Sequence, residues 1–252
     1  MQVFQVLEYI GLFAFALNGA FVGIEYKFDY FGIPFLAIIA SLGGGIVRDL
    51  CLGNTPPMAF RDPVYILLAI GVAAACIVFY VFFRKKMTVK NLPVMVTVIN
   101  VFDAVGLAVF TVSGAQIALR LLPDMEMMQG AHALAKLILV VFVAVTSAIG
   151  GGMIRDVIAN RKPLVLRKEI YAIASILGAV LYYFLVPTIL GQLGAALISI
   201  ALILSVRFVA MRKKINLPHF ADNTPLLRRP ERWKQEIPFE GEADDADDNH
   251  YF

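Results

Sequence analysis

The chain has 252 residues, of which 60% are hydrophobic and only 16% charged, with a formal net charge of +3. Soluble domains carry about 25% charged and about 45–50% apolar residues, and a soluble fold of this composition would expose apolar patches that such proteins avoid. The numbers argue against a soluble enzyme, a disordered chain and a nucleic-acid binder; they define an integral membrane protein.

Apolar stretches of about 20 residues, the length that crosses a bilayer, fall at 3–24, 33–50, 64–83, 94–119, 133–157, 170–187 and 193–210. They are too long for membrane strands and do not alternate, which predicts helices rather than a barrel. The first stretch lacks a basic leader and carries Glu8, so it is expected to be a span and not a cleavable signal. Residues 211–252 change character: four prolines punctuate them, and they end in an acidic run from Glu240 to Asp248. That composition predicts a disordered tail.

Seven spans place the connections 25–32, 84–93 and 158–169 and the start of the tail on one face. That face collects Lys27, Arg84, Lys85, Lys86, Lys90, Arg155, Arg161, Lys162, Arg167, Lys168, Arg207, Arg212, Lys213 and Lys214. Arg48, Arg61 and Arg120 fall on the other, with Lys136 near the outer end of the fifth span. Basic residues accumulate on the cytoplasmic side, so the N-terminus is expected outside and the C-terminus inside.

The chain also repeats itself. Glu8, Gly11, Phe15, Asn18, Gly19 and Ala20 match Asp103, Gly106, Phe110, Ser113, Gly114 and Ala115 at one constant offset. Gly43-Gly44-Gly45 followed by Arg48-Asp49 matches Gly150-Gly151-Gly152 followed by Arg155-Asp156. A proline, an arginine (Arg61, Arg167) and a tyrosine (Tyr65, Tyr171) then follow in each copy. Three spans per copy is an odd number, so the copies must face opposite ways across the bilayer. The predicted fold is all-α, with seven transmembrane helices as a 3+3 inverted repeat plus one extra helix. Its parts are repeat 1 (1–92), repeat 2 (93–190), a seventh helix (191–210) and a cytoplasmic tail (211–252). Secondary transporters and some channels build their translocation site between such repeats.

Three consecutive glycines in a span cost helix stability, about 1 kcal/mol each relative to alanine. Packing would use small residues recurring by whole turns along one face, as Gly11/Gly19 and Gly106/Gly114 do on the i, i+4, i+8 row. A contiguous triplet covers three faces and points to a kink or break, which at membrane depth must be buried in protein or line water. Charges lie close by and are expensive in hydrocarbon unless paired or hydrated. The expected contacts are Glu8–Arg48 near the outer face and Asp103–Arg155 near the inner one; the alternative is that both arginines snorkel to headgroups. Asp49 and Asp156, adjacent to those arginines, are not expected to share a helical face with them; they would cap the next short segment or hold a loop at the pathway mouth. The few polar residues inside the spans include Asn18, Ser41, Asn100, Thr111, Ser113, Thr146 and Ser147. Some are expected to bond between helices, and together they could line a narrow uncharged wet passage.

Cys51 and Cys76 suggest no disulfide framework, and His132, His219 and His250 are too scattered for a metal centre. There is no Ser/His/Asp set, no phosphate loop and no metal helix, so neither enzyme nor cofactor is expected.

The paired Gly-Gly-Gly-x-x-Arg-Asp motifs, the 3+3 inverted repeat and the unpaired seventh helix resemble the bacterial branch of the trimeric intracellular cation (TRIC) channels. The resemblance covers residues 3–210. It implies a homotrimer in a bacterial inner membrane, with one pore per protomer gated near Gly43–Gly45 and Gly150–Gly152. It also implies that monovalent cations, chiefly potassium, pass through. Some bacterial relatives are also suspected of moving small amino acids such as glycine. Exposed half-helix N-termini would favour a carboxylate, and freed carbonyls a cation. A structural membrane protein is the third reading.

Overall fold

The computed structural model describes residues 2–83, 92–122, 132–167 and 170–213, all helix and connecting turns. The helices are α1 (Gln2–Glu25), α2 (Gly32–Cys51), α3 (Met58–Arg61), α4 (Val64–Phe83), α5 (Leu92–Leu121), α6 (Ala133–Ile158), α7 (Leu164–Arg167), α8 (Ile170–Leu185) and α9 (Gly191–Lys213). Six of them (α1, α2, α4, α5, α6 and α9) are long and apolar enough to cross a membrane. Where seven spans were expected, α8 has 16 residues. At 1.5 Å per residue that is roughly 24 Å, short of the hydrocarbon thickness of about 30 Å. It stops just ahead of Pro187, whose ring disfavours helical backbone in the residue before it. The acidic tail and the basic connection at 84–91 lie outside the described residues.

Short polar side chains and prolines set the helix boundaries. Asp29 Oδ1 accepts the backbone N–H of Phe31 and Gly32 at the start of α2 (3.2 and 2.6 Å), and Asp62 Oδ1 accepts that of Val64 at the start of α4 (3.0 Å). Pro57, Pro63 and Pro163 immediately precede α3, α4 and α7. Beyond the end of α2, Gly53 takes φ +65°; beyond α6 the corresponding Asn160 takes φ +53°. Glycine and asparagine are the residues that adopt this left-handed conformation at helix ends. Carbonyls of the two final turns are then satisfied alike, by Asn54 N–H to Asp49 O (2.8 Å) and Arg161 N–H to Asp156 O (3.0 Å).

Two antiparallel crossings hold the bundle together. Along α1 and α5 the partners run in opposite order: Glu8 meets Ser113, Gly11 meets Phe110, Phe15 meets Gly106, and Asn18 meets Asp103. Phe15 and Phe110 stack at the midpoint, ring centroids 5.4 Å apart and planes 5° from parallel. Each ring occupies the gap left by the other helix's glycine; a Cβ on Gly106 would lie 2.5 Å from the Phe15 ring. The α2–α6 crossing is closer still. A Cβ on Gly44 would stand 2.0 Å from the carbonyl oxygen of Ser147, and one on Gly151 would stand 2.2 Å from that of Ala40. Without a hydrophobic drive inside lipid, helices associate through such backbone approach at small residues.

Of the kink or break expected at the triplets, the break is absent, because α2 and α6 run on as α-helix through Gly43–Gly45 and Gly150–Gly152. Their glycines divide the work instead. Gly43, Gly44, Gly150 and Gly151 admit the partner backbone, whereas a Cβ on Gly45 or Gly152 would meet nothing closer than the guanidinium of Arg48 (3.8 Å) or Arg155 (3.7 Å). Substitution therefore has position-dependent consequences. Gly44→Ala or Gly151→Ala must push the helices apart and is expected to destabilise by about 1–3 kcal/mol. Gly45→Ala and Gly152→Ala, which meet only ordinary contacts and gain helix propensity, should leave the unfolding midpoint in detergent unchanged or higher. Equal losses at all four positions would contradict this division.

Candidate functional site

At the C-terminal end of α2, Arg48 is 3% exposed and lies between two carboxylates. Its Nη1 is 3.3 Å from Glu8 Oε1 of α1, and its Nε donates to Asp49 Oδ1 at 2.9 Å. Glu8 also accepts the hydroxyls of Ser113 from α5 (2.6 Å) and Tyr65 from α4 (3.0 Å). The second oxygen of Asp49 accepts the N–H of Met58 at 2.8 Å, tying α3 to α2. Five helices thus satisfy one buried ion cluster, as a charge in hydrocarbon requires.

At the C-terminal end of α6 the matched residues repeat the arrangement. Arg155, 1% exposed, lies 3.6 Å from Asp103 Oδ1 of α5 and 2.7 Å from Asp156 Oδ1. Asn18 of α1 bridges the pair, accepting from Arg155 and donating to Asp103 Oδ1 at 3.3 Å. Asp156 Oδ2 accepts the N–H of Leu164 at the start of α7 (3.0 Å), and Tyr171 of α8 lies beside Asp103. Each cluster therefore contains one polar side chain from the opposite half: Ser113 on Glu8, and Asn18 on Asp103.

Adjacent aspartate and arginine do pair, contrary to the expectation from helical geometry. Both lie in the last turn, where no further turn occupies the space beside them, and the long arginine folds sideways so that Nε reaches its neighbour. Asn18 and Ser113 serve the carboxylates of Asp103 and Glu8. Ser41 donates back to Ala37 O (2.7 Å) and Thr146 to Phe142 O (2.9 Å), each within its own helix. Ser147 is buried against Gly114, and Thr111 pairs with Ser175 of α8 (2.7 Å).

Arg207 of α9 is a site residue that the sequence reading counted only among the basic residues of one face. It is 3% exposed, with Nη2 3.7 Å from Asp103 Oδ2 and its guanidinium 4.6 Å above the Tyr171 ring. Its signal was present: it is the first charge in an otherwise apolar span. Arg161 joins the same cluster through Asp156 Oδ1 at 2.7 Å.

A cavity of about 20 Å³ opens beside Glu8, Ser41, Gly45, Arg48, Asp49 and Tyr65. Another of about 10 Å³ opens beside Gly152, Arg155, Asp156 and Tyr171. Each has room for about one water. Because α2 and α6 are antiparallel, the cavities lie toward opposite ends of their crossing, beyond the close glycine contact.

These features define a class: a multi-pass, all-helical membrane protein with two buried arginine–carboxylate clusters on either side of a close glycine crossing. The chain belongs to the family described as glycine transporter, whose model matches residues 5–81 and 100–187. A UPF0126 membrane protein of Deinococcus radiodurans is 35% identical over 217 residues, 84% of this chain and 89% of that protein. The UPF0126 inner membrane protein YadS of Escherichia coli K12 is 32% identical over 220 residues, 85% of this chain and 95% of its own. Among solved structures, the chain closely resembles bacterial TRIC channels. A prokaryotic TRIC channel in 0.5 M KCl is 31% identical with TM-score 0.71, covering 86% of this chain and 99% of that one. The TRIC orthologue of Rhodobacter sphaeroides is 30% identical with TM-score 0.70, covering 85% and 100%.

Removing Arg48 leaves Glu8 and Asp49 buried without a cation. Arg48→Met is expected to destabilise by about 3–5 kcal/mol, measured by unfolding in detergent. Arg120→Met, at an exposed position of α5, should have no measurable effect.

Proposed function

We propose that the protein is a cation channel of a bacterial inner membrane, conducting monovalent ions and potassium foremost, with one pore per protomer of a homotrimer. The observation that carries this reading is the close α2–α6 crossing between two water-sized cavities at its opposite ends. Separation of the two helices there would join the cavities into one route. The same motion would free the carbonyls of Ala40 and Ser147 from the opposing glycines, and carbonyl oxygens are ligands for cations. The glycine pairs are thus the gate. Support also comes from the likeness to TRIC cation channels at 30–33% identity over 85–86% of the chain. The name of those proteins, trimeric intracellular cation channel, supports the trimer, and the name of YadS supports the inner membrane.

In this reading residues 1–92 and 93–190 are two inverted halves of three helices, with α8 completing its crossing by tilt or local thinning of the bilayer. Residues 191–210 form the seventh, unpaired span. The antiparallel α1–α5 and α2–α6 contacts support the inversion. The distribution of basic residues supports an external N-terminus and a cytoplasmic tail at 211–252.

A second reading, a glycine transporter, is favoured by the family description and by the presence of guanidinium and carboxylate groups suited to a zwitterion. Purified protein in planar bilayers separates the two. A channel gives ohmic unitary currents in potassium chloride, smaller ones in sodium chloride, and no saturable glycine uptake in proteoliposomes. Saturable glycine uptake without unitary currents would establish the transporter instead.

A further inference from the structure

The two ion clusters share a central arginine, its adjacent aspartate and a carboxylate from the neighbouring helix, and differ in charge. Among the described residues, one guanidinium stands around Glu8 and Asp49, that of Arg48. Around Asp103 and Asp156 the described residues place three, from Arg155, Arg161 and Arg207. The other groups facing Asp103, Asn18 of α1 and Tyr171 of α8, are uncharged side chains. One cluster therefore carries one net negative charge and the other one net positive charge. Arg207 comes from α9, which has no counterpart in the repeat and lies beyond the matched segments 5–81 and 100–187. Its Nη2 stands 3.7 Å from Asp103 Oδ2. Neither its Nε nor Asp103 Oδ2 has a hydrogen-bond partner among the described residues.

We infer that Arg207 sets the charge of the Asp103 mouth and so makes the route directional, with cations passing more readily from the Glu8 end than from the Asp103 end. The electrical form of this inference rests on the conduction reading above. In a partly buried mouth one unit charge changes the local cation concentration by about threefold or more, enough to dominate the ratio of currents at equal and opposite voltages.

A charge series tests it in the full chain. Arg207→Met brings the mouth to zero and should reduce the current ratio by about threefold. Asp103→Asn raises the mouth to two positive charges and should increase the ratio. The double variant restores one positive charge and should return the ratio to wild type, as Arg207→Lys should retain it. A merely structural Arg207 would alter unfolding midpoints without producing that order. A second readout needs no current. A cysteine replacing Met153, which lines the cavity beside Arg155, is introduced into a C51S/C76A background. Its reaction rates with anionic and cationic methanethiosulfonates should give a ratio that follows the same order across the series. If no variant conducts, the channel reading falls while this rate ratio decides the inference. The inference is overturned if Arg207→Met leaves the measured ratio unchanged or the double variant does not restore it.

Discussion

Charge placed in hydrocarbon must be answered on every side, and that requirement organises this molecule. Arg48 and Arg155 could have reached toward headgroups from their helix ends. They are instead 3% and 1% exposed, each between a carboxylate of its own helix and one from a neighbouring helix. Pairing a buried ion repays its desolvation only when the remaining donors and acceptors are also satisfied. Here the last partners come from across the molecule, Ser113 for Glu8 and Asn18 for Asp103. Neither half completes its own cluster. The exchange fixes the register of α1 against α5, since a shift by one residue would leave both carboxylates short of a donor.

The glycines solve the accompanying steric problem. Helices that bring side chains of four elements to one ion cluster have to run close together, and α2 and α6 do so at backbone distance. Three contiguous glycines suggested a break because three faces of a helix were left bare. The faces turn out to have separate uses, two toward the partner backbone and one toward the arginine a turn later. The carboxylate beside each arginine extends the arrangement outward, since its second oxygen holds the first N–H of a one-turn helix.

Much of this was legible in the sequence because the bilayer imposes long apolar runs and the repeat gives the same signal twice. The span at 64–83 coincides with α4, and the others differ from their helices by a few residues at most. The Glu8–Arg48 and Asp103–Arg155 partnerships followed from charge cost and symmetry. What could not be read was rotation and depth. That Ser41, at the edge of the cavity by Glu8, and Thr146 bond back to their own helices depends on a side-chain rotamer, and apolar patterning says nothing about that. Arg207 was obscured for a related reason: near the end of a span, a residue folded inward over Tyr171 and one reaching for the membrane surface look alike in sequence.

The stacked rings of Phe15 and Phe110 have a mechanical consequence. Each is lodged in a notch cut in the opposite backbone, at the centre of the α1–α5 contact. Axial slippage of either helix would drive a benzene ring into main chain, so the pair behaves as a keyed shaft that resists sliding. Rearrangement of the surrounding helices is left to rocking and rolling about that fixed axle, with opposite senses at the two membrane surfaces.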